Sequence, residues 1–328
     1  MSRDSFNVTR PNAKLGGSDP FALVLEEFTG MVEESITTRS VTEGWMPVRT
    51  VKGTATITKD AIGESTLQVL EPGKTPDGTN NKFSDTSLTI KTVVLARSTM
   101  PMLDVFQTKY DARKAVANEH GKAMAKFRDA AFLVQMAKAG MQTASKYGAL
   151  PGHHGGTQYS MTAPNDEKDA SKLYKAINRL LAEMEEKDVV PQEDGHALFV
   201  RPSVYYALME AEQIINGDYL TSDGNKVQGV PVLKALGVPI IKTNNMPHTD
   251  TVSKPDSVAK LMGGDYSGDF SKVVMMLASP KAILAGETIS LETDIFWDKL
   301  SKSWYVDAHM AFGATTDRHE HAGVILAK

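Results

Sequence analysis

The feature that most constrains the fold of this chain is a pair of β-rich stretches joined by a long turn-forming segment. Residues 46–62 and 87–97 are dense in Val, Thr and Ile, whose branched side chains suit strands. Residues 71–81 contain two prolines and two glycines, so the chain turns repeatedly there. This pattern predicts a long β-hairpin with a polar tip. A two-stranded hairpin alone is marginally stable in water, so we expect it to lie on another surface, with a neighbouring subunit as the natural candidate.

Two amphipathic helices follow the predicted hairpin. Apolar residues recur at three- and four-residue spacings from about 111 to 138, which predicts a helix roughly 40 Å long that ends near Gly140. A second helix is predicted from about 166 to 187, with Asn165 or Asp166 as its cap. The glycine-rich residues 147–165 between the two helices are interpreted as a loop insertion.

The rest of the chain alternates short elements, which makes the fold class α+β. A polar arm is predicted over residues 1–20 and a short helix over residues 20–35. Further strands are predicted at 197–200, 238–243, 273–279, 289–296, 302–312 and 322–327, with one helix at 202–211.

Composition excludes several classes of protein. The net charge of -4 over 328 residues provides no global basic field for tight binding to nucleic acid. The absence of cysteine excludes disulfides, thiolate zinc sites and cysteine nucleophiles, and agrees with a reducing cytoplasm. The polar start has no apolar core for a secretory signal, and the apolar runs are too short to span a bilayer, so we expect neither export nor a membrane protein.

Motifs for nucleophilic or nucleotide chemistry are missing. Neither a Gly-x-Ser-x-Gly elbow nor a phosphate loop ending in Gly-Lys-Ser/Thr occurs in the sequence. The glycine-rich residues 263–268 lack the strand-to-helix context of a dinucleotide site and are interpreted as a loop. Residues 223–225 resemble the start of a calcium loop, but the downstream glycine and glutamate are absent. We therefore expect no cofactor.

His319 and His321 are the best candidate metal ligands. On a strand they would point to the same face on either side of Glu320, so two imidazoles could share one cation. A third ligand is not evident, because His309 and the histidines at 153–154 lie on other elements. We therefore expect solvated or interfacial histidines and no metal site.

The remaining polar and sulfur-containing clusters also have simpler interpretations. Four carboxylates surround Lys187 at a predicted helix end, where a solvated face is more common than a catalytic acid–base pair; they are Glu183, Glu185, Glu186 and Asp188. The 16 methionines, Met275 and Met276 among them, are typical of adaptable core packing. No catalytic residue is therefore predicted.

The order of the predicted parts, which is arm, long hairpin, long helix, compact α/β domain and returning strands, resembles the Hong Kong 97-type fold of tailed-phage major capsid proteins. Four segments also resemble the capsid proteins of Autographiviridae-like short-tailed phages. They are FVRPSVYYAL at 199–208, LGVPIIKTNNMP at 236–247, AHMAFGA at 308–314 and AGV at 322–324. The resemblance runs from about residue 20 to the end of the chain. It implies a structural protein, not an enzyme, that assembles into hexamers and pentamers of an icosahedral head enclosing double-stranded DNA.

The resemblance also implies a division of the chain into five parts. These are an N-terminal arm at 1–47, an E-loop hairpin at 48–100, a peripheral domain with spine helix and loop insertion at 101–167, an axial domain at 168–285, and returning strands of the peripheral domain at 286–328. Lys74 lies at the hairpin tip, where some family members form crosslinks. No partner residue is evident, so that chemistry is not expected here.

The implied partners are other copies of the chain, a separate scaffolding protein, a portal protein and possible decoration proteins. Packaged DNA would be contacted only non-specifically, and no membrane is implied. The implied location is the virion capsid, assembled in the host bacterial cytoplasm. Two alternatives stay open at this point: an encapsulin-like nanocompartment shell, and a metal-dependent hydrolase using His319, His321 and a carboxylate.

Overall fold

A computed structural model of the chain describes residues 40–75, 78, 80–102, 112–209, 234–254 and 257–328. The strands are β1 Arg49–Thr50, β2 Thr56–Ile62, β3 Phe83–Thr89, β4 Val94–Pro101, β5 Thr157–Ser160, β6 Ala197–Val200, β7 Lys234–Ala235, β8 Val238–Lys242, β9 Val273–Ala278, β10 Ile283–Asp298, β11 Ser303–Thr316 and β12 Ala322–Leu326. The helices are α1 Ala112–Met141, α2 Ala170–Glu185, α3 Pro202–Met209 and α4 Ser257–Met262. None of these helices is long and apolar enough to cross a membrane. The predicted arm, the helix at 20–35 and the calcium-like residues 223–225 lie outside the described residues.

A six-stranded sheet with the order β5-β12-β9-β6-β8-β7 forms the centre of one half of the structure. Every residue of β6 and β9 is buried, as expected for strands covered on both faces. Alternate residues show the two faces: Phe199 packs in the cluster that includes α1, whereas Leu198 and Val200 pack in the cluster that includes α2. This sheet is therefore the middle layer between two helices.

The second sheet has the order β1-β10-β11-β4 and is built on a long antiparallel ladder. Pairing runs from Ile283 opposite Thr316 to Asp298 opposite Ser303. Helix α1 covers one face of this ladder, where Phe132 meets Phe312 edge to face with ring centroids 5.8 Å apart. Helix α1 therefore packs on both sheets.

Strands β2 and β3 form a separate two-stranded hairpin. The register begins with Thr56 opposite Thr89 and ends with Ile62 opposite Phe83. The predicted second strand, residues 87–97, is wrong as one element. The chain leaves the hairpin after Thr89, and β4 pairs with β11 instead. A continuous run of strand-forming residues thus serves two different sheets.

Two predicted helix boundaries also differ from the structure. Helix α1 continues through Gly140 to Met141. A Cβ on Gly140 would lie 2.8 Å from Cγ1 of Val324, so this glycine allows close packing of the helix on β12. The cap of α2 is Asp169, whose carboxylate accepts the backbone N–H groups of Ser171 and Lys172.

Candidate assembly interface

The root of the β2–β3 hairpin lies on the β10–β11 ladder, on the face opposite α1. Gly286 and Gly313 stand opposite each other in that ladder and leave a flat area without side chains. A Cβ on Gly286 would overlap Cδ1 of Ile57, and one on Gly313 would lie 3.3 Å from Cδ1 of Leu88. Ile57 and Leu88 are buried there together with Leu284. The hairpin root is therefore held by its own chain, and the surface that sequence analysis assigned to a neighbour is here intramolecular.

A buried polar contact fixes the hairpin beyond its apolar root. The Nζ atom of Lys59 on β2 donates to Asp317, which is buried between the end of β11 and the turn before β12. The hydroxyl of Tyr147 donates to the other carboxylate oxygen of Asp317. Burial, together with this hydrogen bond to Asp317, raises the pKa of Tyr147 above its usual value, so the phenol keeps its proton. The contacts of Lys59 and Tyr147 with Asp317 fix the orientation of the hairpin relative to the rest of the subunit.

The loop insertion supports the far end of the hairpin ladder. The backbone N–H of Glu64 donates to the carbonyl of Pro151 at 3.0 Å, and Nε2 of His153 lies 3.0 Å from the carbonyl oxygen of Ile62. A Cβ on Gly63 would lie 3.1 Å from Leu150, so only a small residue fits at this crossing. A cleft of about 800 Å³ lies between residues 59–65 and the loop. The insertion thus acts as a brace for the hairpin.

The brace is in turn fixed to the end of α1. Cβ atoms on Gly155 and Gly156 would overlap backbone oxygens at the end of this helix, so the loop backbone can approach only because both residues are glycine. The N–H of Gly156 donates to the carbonyl of Gln142 at 2.7 Å. Lys187 donates to the carbonyls of both glycines at 3.0 and 3.1 Å. These contacts link the hairpin to the helix.

Beyond the brace, the hairpin presents apolar side chains to solvent. We define the tip cluster as five residues: Ile62, Leu67, Val69, Leu70 and Phe83. Leu67 is 96% exposed, Val69 86% and Leu70 72%. Ile62 and Phe83 pair across the last rung of the ladder on its outward face. Single apolar residues are normal on protein surfaces, but five large exposed ones on a single hairpin are typical of an interface.

A second anchor is formed by residues 40–42, which are held on α1. The carboxylate of Asp129, fully buried in α1, accepts the backbone N–H of Val41 at 2.9 Å and the hydroxyls of Ser40 and Thr42 at 2.6 and 2.7 Å. A buried carboxylate needs such donors to offset its loss of hydration. Residues 40–42, the first that the structure describes, are therefore fixed on α1.

The structure separates the two histidines predicted as the best metal pair. Residues His319–His321 form a 3-10 turn, so they do not have the strand geometry that would point both histidines to the same face. Nδ1 of His319 lies 2.8 Å from the carbonyl oxygen of Ala144, whereas Nδ1 of His321 lies 3.9 Å from Asp194. Because of this turn, the two rings have different surroundings.

The other residues that the sequence offered as candidates for a functional site form structural contacts or lie on the solvated surface in the described part of the chain. Residues 263–268 form a loop with a 3-10 turn, as predicted, and the buried hydroxyl of Tyr266 both donates to and accepts from the backbone of Ala314. Met275 and Met276 are buried in the central sheet. At the hairpin tip, Lys74 forms an exposed ion pair with Glu71. The carboxylates near Lys187 are exposed except for Glu183, which is half-buried, as expected for a solvated face.

Sequence reasoning missed the residues that anchor the hairpin. Gly286 and Gly313 each interrupt an apolar strand pattern, and a glycine within a strand often marks a close approach of another backbone or side chain. That signal was present in the sequence. Lys59 and Asp317 are separated by 258 positions, and no local pattern connects them.

Comparisons with known proteins agree with this architecture. The family model of Gp10A-like major capsid proteins matches residues 87–292. The capsid of cyanophage P-SCSP1u has a similar fold, with a TM-score of 0.74 and 19% identity over 88% of each chain. The mature capsid of bacteriophage PhiM1 gives a TM-score of 0.71 and 20% identity, over 97% of this chain and 92% of that chain. A virus-like particle from Pyrococcus furiosus is more distant, with a TM-score of 0.52 and 11% identity over 93% of this chain and 100% of that chain.

No curated protein sequence matches the chain. The structural matches confirm the predicted α+β fold of the Hong Kong 97 type. The family match spans more than half of the sequence and includes α1 and five of the six strands of the central sheet. The chain therefore belongs to the Gp10A-like family of major capsid proteins.

Proposed function

We propose that the chain self-assembles into the hexamers and pentamers of an icosahedral phage head that encloses double-stranded DNA. The observation that carries this proposal is the tip cluster: apolar side chains on a hairpin whose root is fixed by its own chain. Burial of apolar surface stabilises an interface by roughly 25 cal/mol per Å². A fixed hairpin also loses little conformational entropy when it binds a neighbour. The tip cluster therefore binds an adjacent subunit in the same capsomer.

The contacts expected in a shell are heterologous: the tip cluster of one copy meets a different surface on the next. Repeating such a contact around an axis closes a ring, which is how one chain can build both hexamers and pentamers. Subunits in hexamers and pentamers differ slightly in conformation. This difference lies in segments outside the central sheet, because a close-packed core deforms little.

We assign the parts of the chain to roles in the shell. The arm at 1–47 and the E-loop hairpin at 48–100 reach neighbouring subunits. The segment 101–167 and the returning strands at 286–328 form the peripheral domain, and 168–285 forms the axial domain at the capsomer centre. The anchors at Asp129 and at Gly286 support the first two assignments, since each fixes the place where a reaching segment leaves the body.

The proposed partners are a separate scaffolding protein, a portal protein and possible decoration proteins, with assembly in the host bacterial cytoplasm. DNA is contacted only non-specifically, in keeping with the net charge of -4. The role is structural and not enzymatic. Neither the hydrolase nor the nanocompartment alternative is favoured, since the family is one of major capsid proteins.

Electron microscopy of the expressed chain, with and without the scaffolding protein, tests the proposal. The wild-type chain should form closed shells. The double variant Leu67→Asp, Val69→Asp should remain folded, with an unchanged melting temperature, but form no shells. The double variant Thr66→Asp, Gln68→Asp is the matched control, because it adds the same two charges at exposed neighbouring positions without removing large apolar side chains. Normal shells from Leu67→Asp, Val69→Asp would contradict the role of the tip cluster, and a wild-type chain that stays monomeric with scaffolding protein present would contradict the proposed function.

A further inference from the structure

Three chain segments meet at one end of the central six-stranded sheet. Ala278 at the end of β9 pairs with Ala197 on one side and with Ala322 on the other. His196 and His321 immediately precede those two paired residues, so the sheet register brings both histidines to the same edge. Their rings lie side by side, with centroids 5.6 Å apart and planes inclined at 30°.

A carboxylate completes a group of three potential ligands. Asp194, His196 and His321 each offer one ligand atom, and these atoms all lie within 4.8 Å of one another. The Oδ2 atom of Asp194 lies 3.9 Å from Nδ1 of His321. In a tetrahedral zinc site with bonds of about 2.1 Å, ligand atoms lie roughly 3.4 Å apart, so side-chain rotations that bring these atoms closer by up to about 1.4 Å would suffice.

The two imidazoles are buried, and three of their four ring nitrogens have no hydrogen-bond partner among the residues that the structure describes. His196 is 2% exposed, and neither of its ring nitrogens makes a hydrogen bond of good geometry, although backbone groups of Pro191 and His321 lie near the ring. His321 is 4% exposed, and its Nδ1 atom, which faces Asp194, is also unpaired. A buried nitrogen without a partner loses its hydration without compensation, so a folded protein normally gives it a hydrogen-bond partner. Coordination to a cation would use these lone pairs.

We propose that Asp194, His196 and His321 form a structural site for a divalent transition metal ion of the zinc class. Two imidazole nitrogens and one carboxylate oxygen suit such an ion, and a water molecule would take the fourth position. The site goes beyond the shell-forming role and differs from the pair His319 and His321 considered in the sequence. It also runs against the expectation of no metal site, because Asp194 and His196 are more than 120 positions away from His321 in the chain.

The surroundings hold the proposed ligands in place. Ser279 links both segments, since its hydroxyl donates to the carbonyl of Asp194 at 2.8 Å and its N–H donates to the carbonyl of His321 at 3.1 Å. Lys281 pairs with Oδ1 of Asp194 and leaves Oδ2 for the ion. The ammonium group of Lys281 competes with a cation for the same carboxylate, so it lowers the affinity. The bound ion would link the start of β12 to the turn before β6, that is, the last strand of the chain to the proposed axial domain.

Metal uptake by the full-length chain tests the site, both unassembled and in shells, after removal of metals with a chelator. Elemental analysis after dialysis against Zn²⁺ should give one ion per chain, and Co²⁺ should produce visible absorption bands typical of a four-coordinate ion. Asp194→Asn and His321→Gln should each weaken binding at least about tenfold. His309→Gln on β11 is the control and should bind as the wild type does, since this histidine pairs with Glu292 at another site.

A variant with a gain of affinity separates metal binding from misfolding. Lys281→Gln should bind Zn²⁺ more tightly than the wild type, because it frees the second oxygen of Asp194, and a misfolded chain would not show such a gain. The absence of stoichiometric Zn²⁺ and Co²⁺ uptake by the wild type would overturn the proposal. Equal binding by the wild type and Asp194→Asn, whose side chain is 23% exposed and is not needed for core packing, would also overturn it.

Discussion

The central sheet and the hairpin use apolar residues in opposite ways. All six residues of β9 are buried, and both faces of the sheet are covered within the chain. In the hairpin, Ile57 and Leu88 are buried against the body, whereas Ile62 and Phe83 at the far end are exposed. The sheet is therefore complete in one subunit, but the hairpin is only half covered. This difference fits the proposal that one region provides the stability of the subunit and the other its contacts with neighbours.

The largest expected effect is on the free energy of unfolding, when a leucine is replaced by alanine in each of the two regions. Leu180→Ala in α2 removes a side chain with no exposed surface that packs on Gly323, so the free energy of unfolding should fall by about 2–5 kcal/mol. Leu67→Ala at the 96% exposed tip should change it by less than about 0.5 kcal/mol. Urea unfolding of the unassembled chain measures both values. Similar losses for the two variants would show that the tip is part of the subunit core.

The flat area beneath the hairpin root gives the next largest effect. Gly286→Val places a side chain where Ile57 lies, so it should lift the root from the ladder and cost about 1–3 kcal/mol. Proteolysis within the hairpin should also become faster. Gly264→Val is the matched control, because a Cβ at Gly264 meets no atom within 4 Å. If Gly286→Val were as stable and as resistant as the wild type, the hairpin would not be held by this contact.

The polar contact between Lys59 and Asp317 should contribute less to the free energy of unfolding, because Lys59 is partly exposed. Lys59→Met leaves the buried Asp317 with Tyr147 as its side-chain donor and should cost about 1–2 kcal/mol. Lys82→Met, an exposed change on the same hairpin, should be neutral. Thermal unfolding of the two variants measures the difference. A loss of equal size in both would point to a general effect of charge and not to the contact with Asp317.

The smallest effect concerns pH and the helix that joins the two sheets. Burial against β4 lowers the pKa of His120 below its usual value of 6.5, although nearby Asp307 and Glu119 oppose this shift. The unfolded chain therefore takes up the proton first as the pH falls below about 6.5, and the free energy of unfolding decreases there. His120→Gln should show a weaker decrease from about pH 7 to about pH 5. Superimposable pH profiles of the two proteins would contradict this role of His120.

The sequence predicted the elements whose patterns are local. The continuous apolar run of β9 and the periodic apolar face of α2 identify their own structures, and both were found close to their predicted positions. The division of residues 87–97 between two sheets could not be predicted, because the same strand-forming residues suit either partner. The cap of α2 was missed because Asn165, Asp166 and Asp169 are all good capping residues, and a short 3-10 turn decides between them.

The functional surfaces were predictable only in part. The polar turn segment indicated a projecting hairpin, but not that Gly286 and Gly313 would hold its root. The exposed tip cluster depends on which face of β2 and β3 meets the body, and that face is set by contacts more than 190 positions away in the chain. The same limit applies to Asp194, His196 and His321, which the register of three strands brings together.

Amide hydrogen exchange of residues 64–75, compared between the unassembled chain and closed shells, tests the central claim most directly. If the tip is covered by a neighbouring subunit, these amides, apart from the hydrogen-bonded N–H groups of Glu64 and Lys74, should exchange rapidly in the unassembled chain and at least about tenfold more slowly in shells. The amides of β9 should be protected in both states. Equally rapid exchange of residues 64–75 in shells would contradict the account, because the tip cluster would then be exposed after assembly.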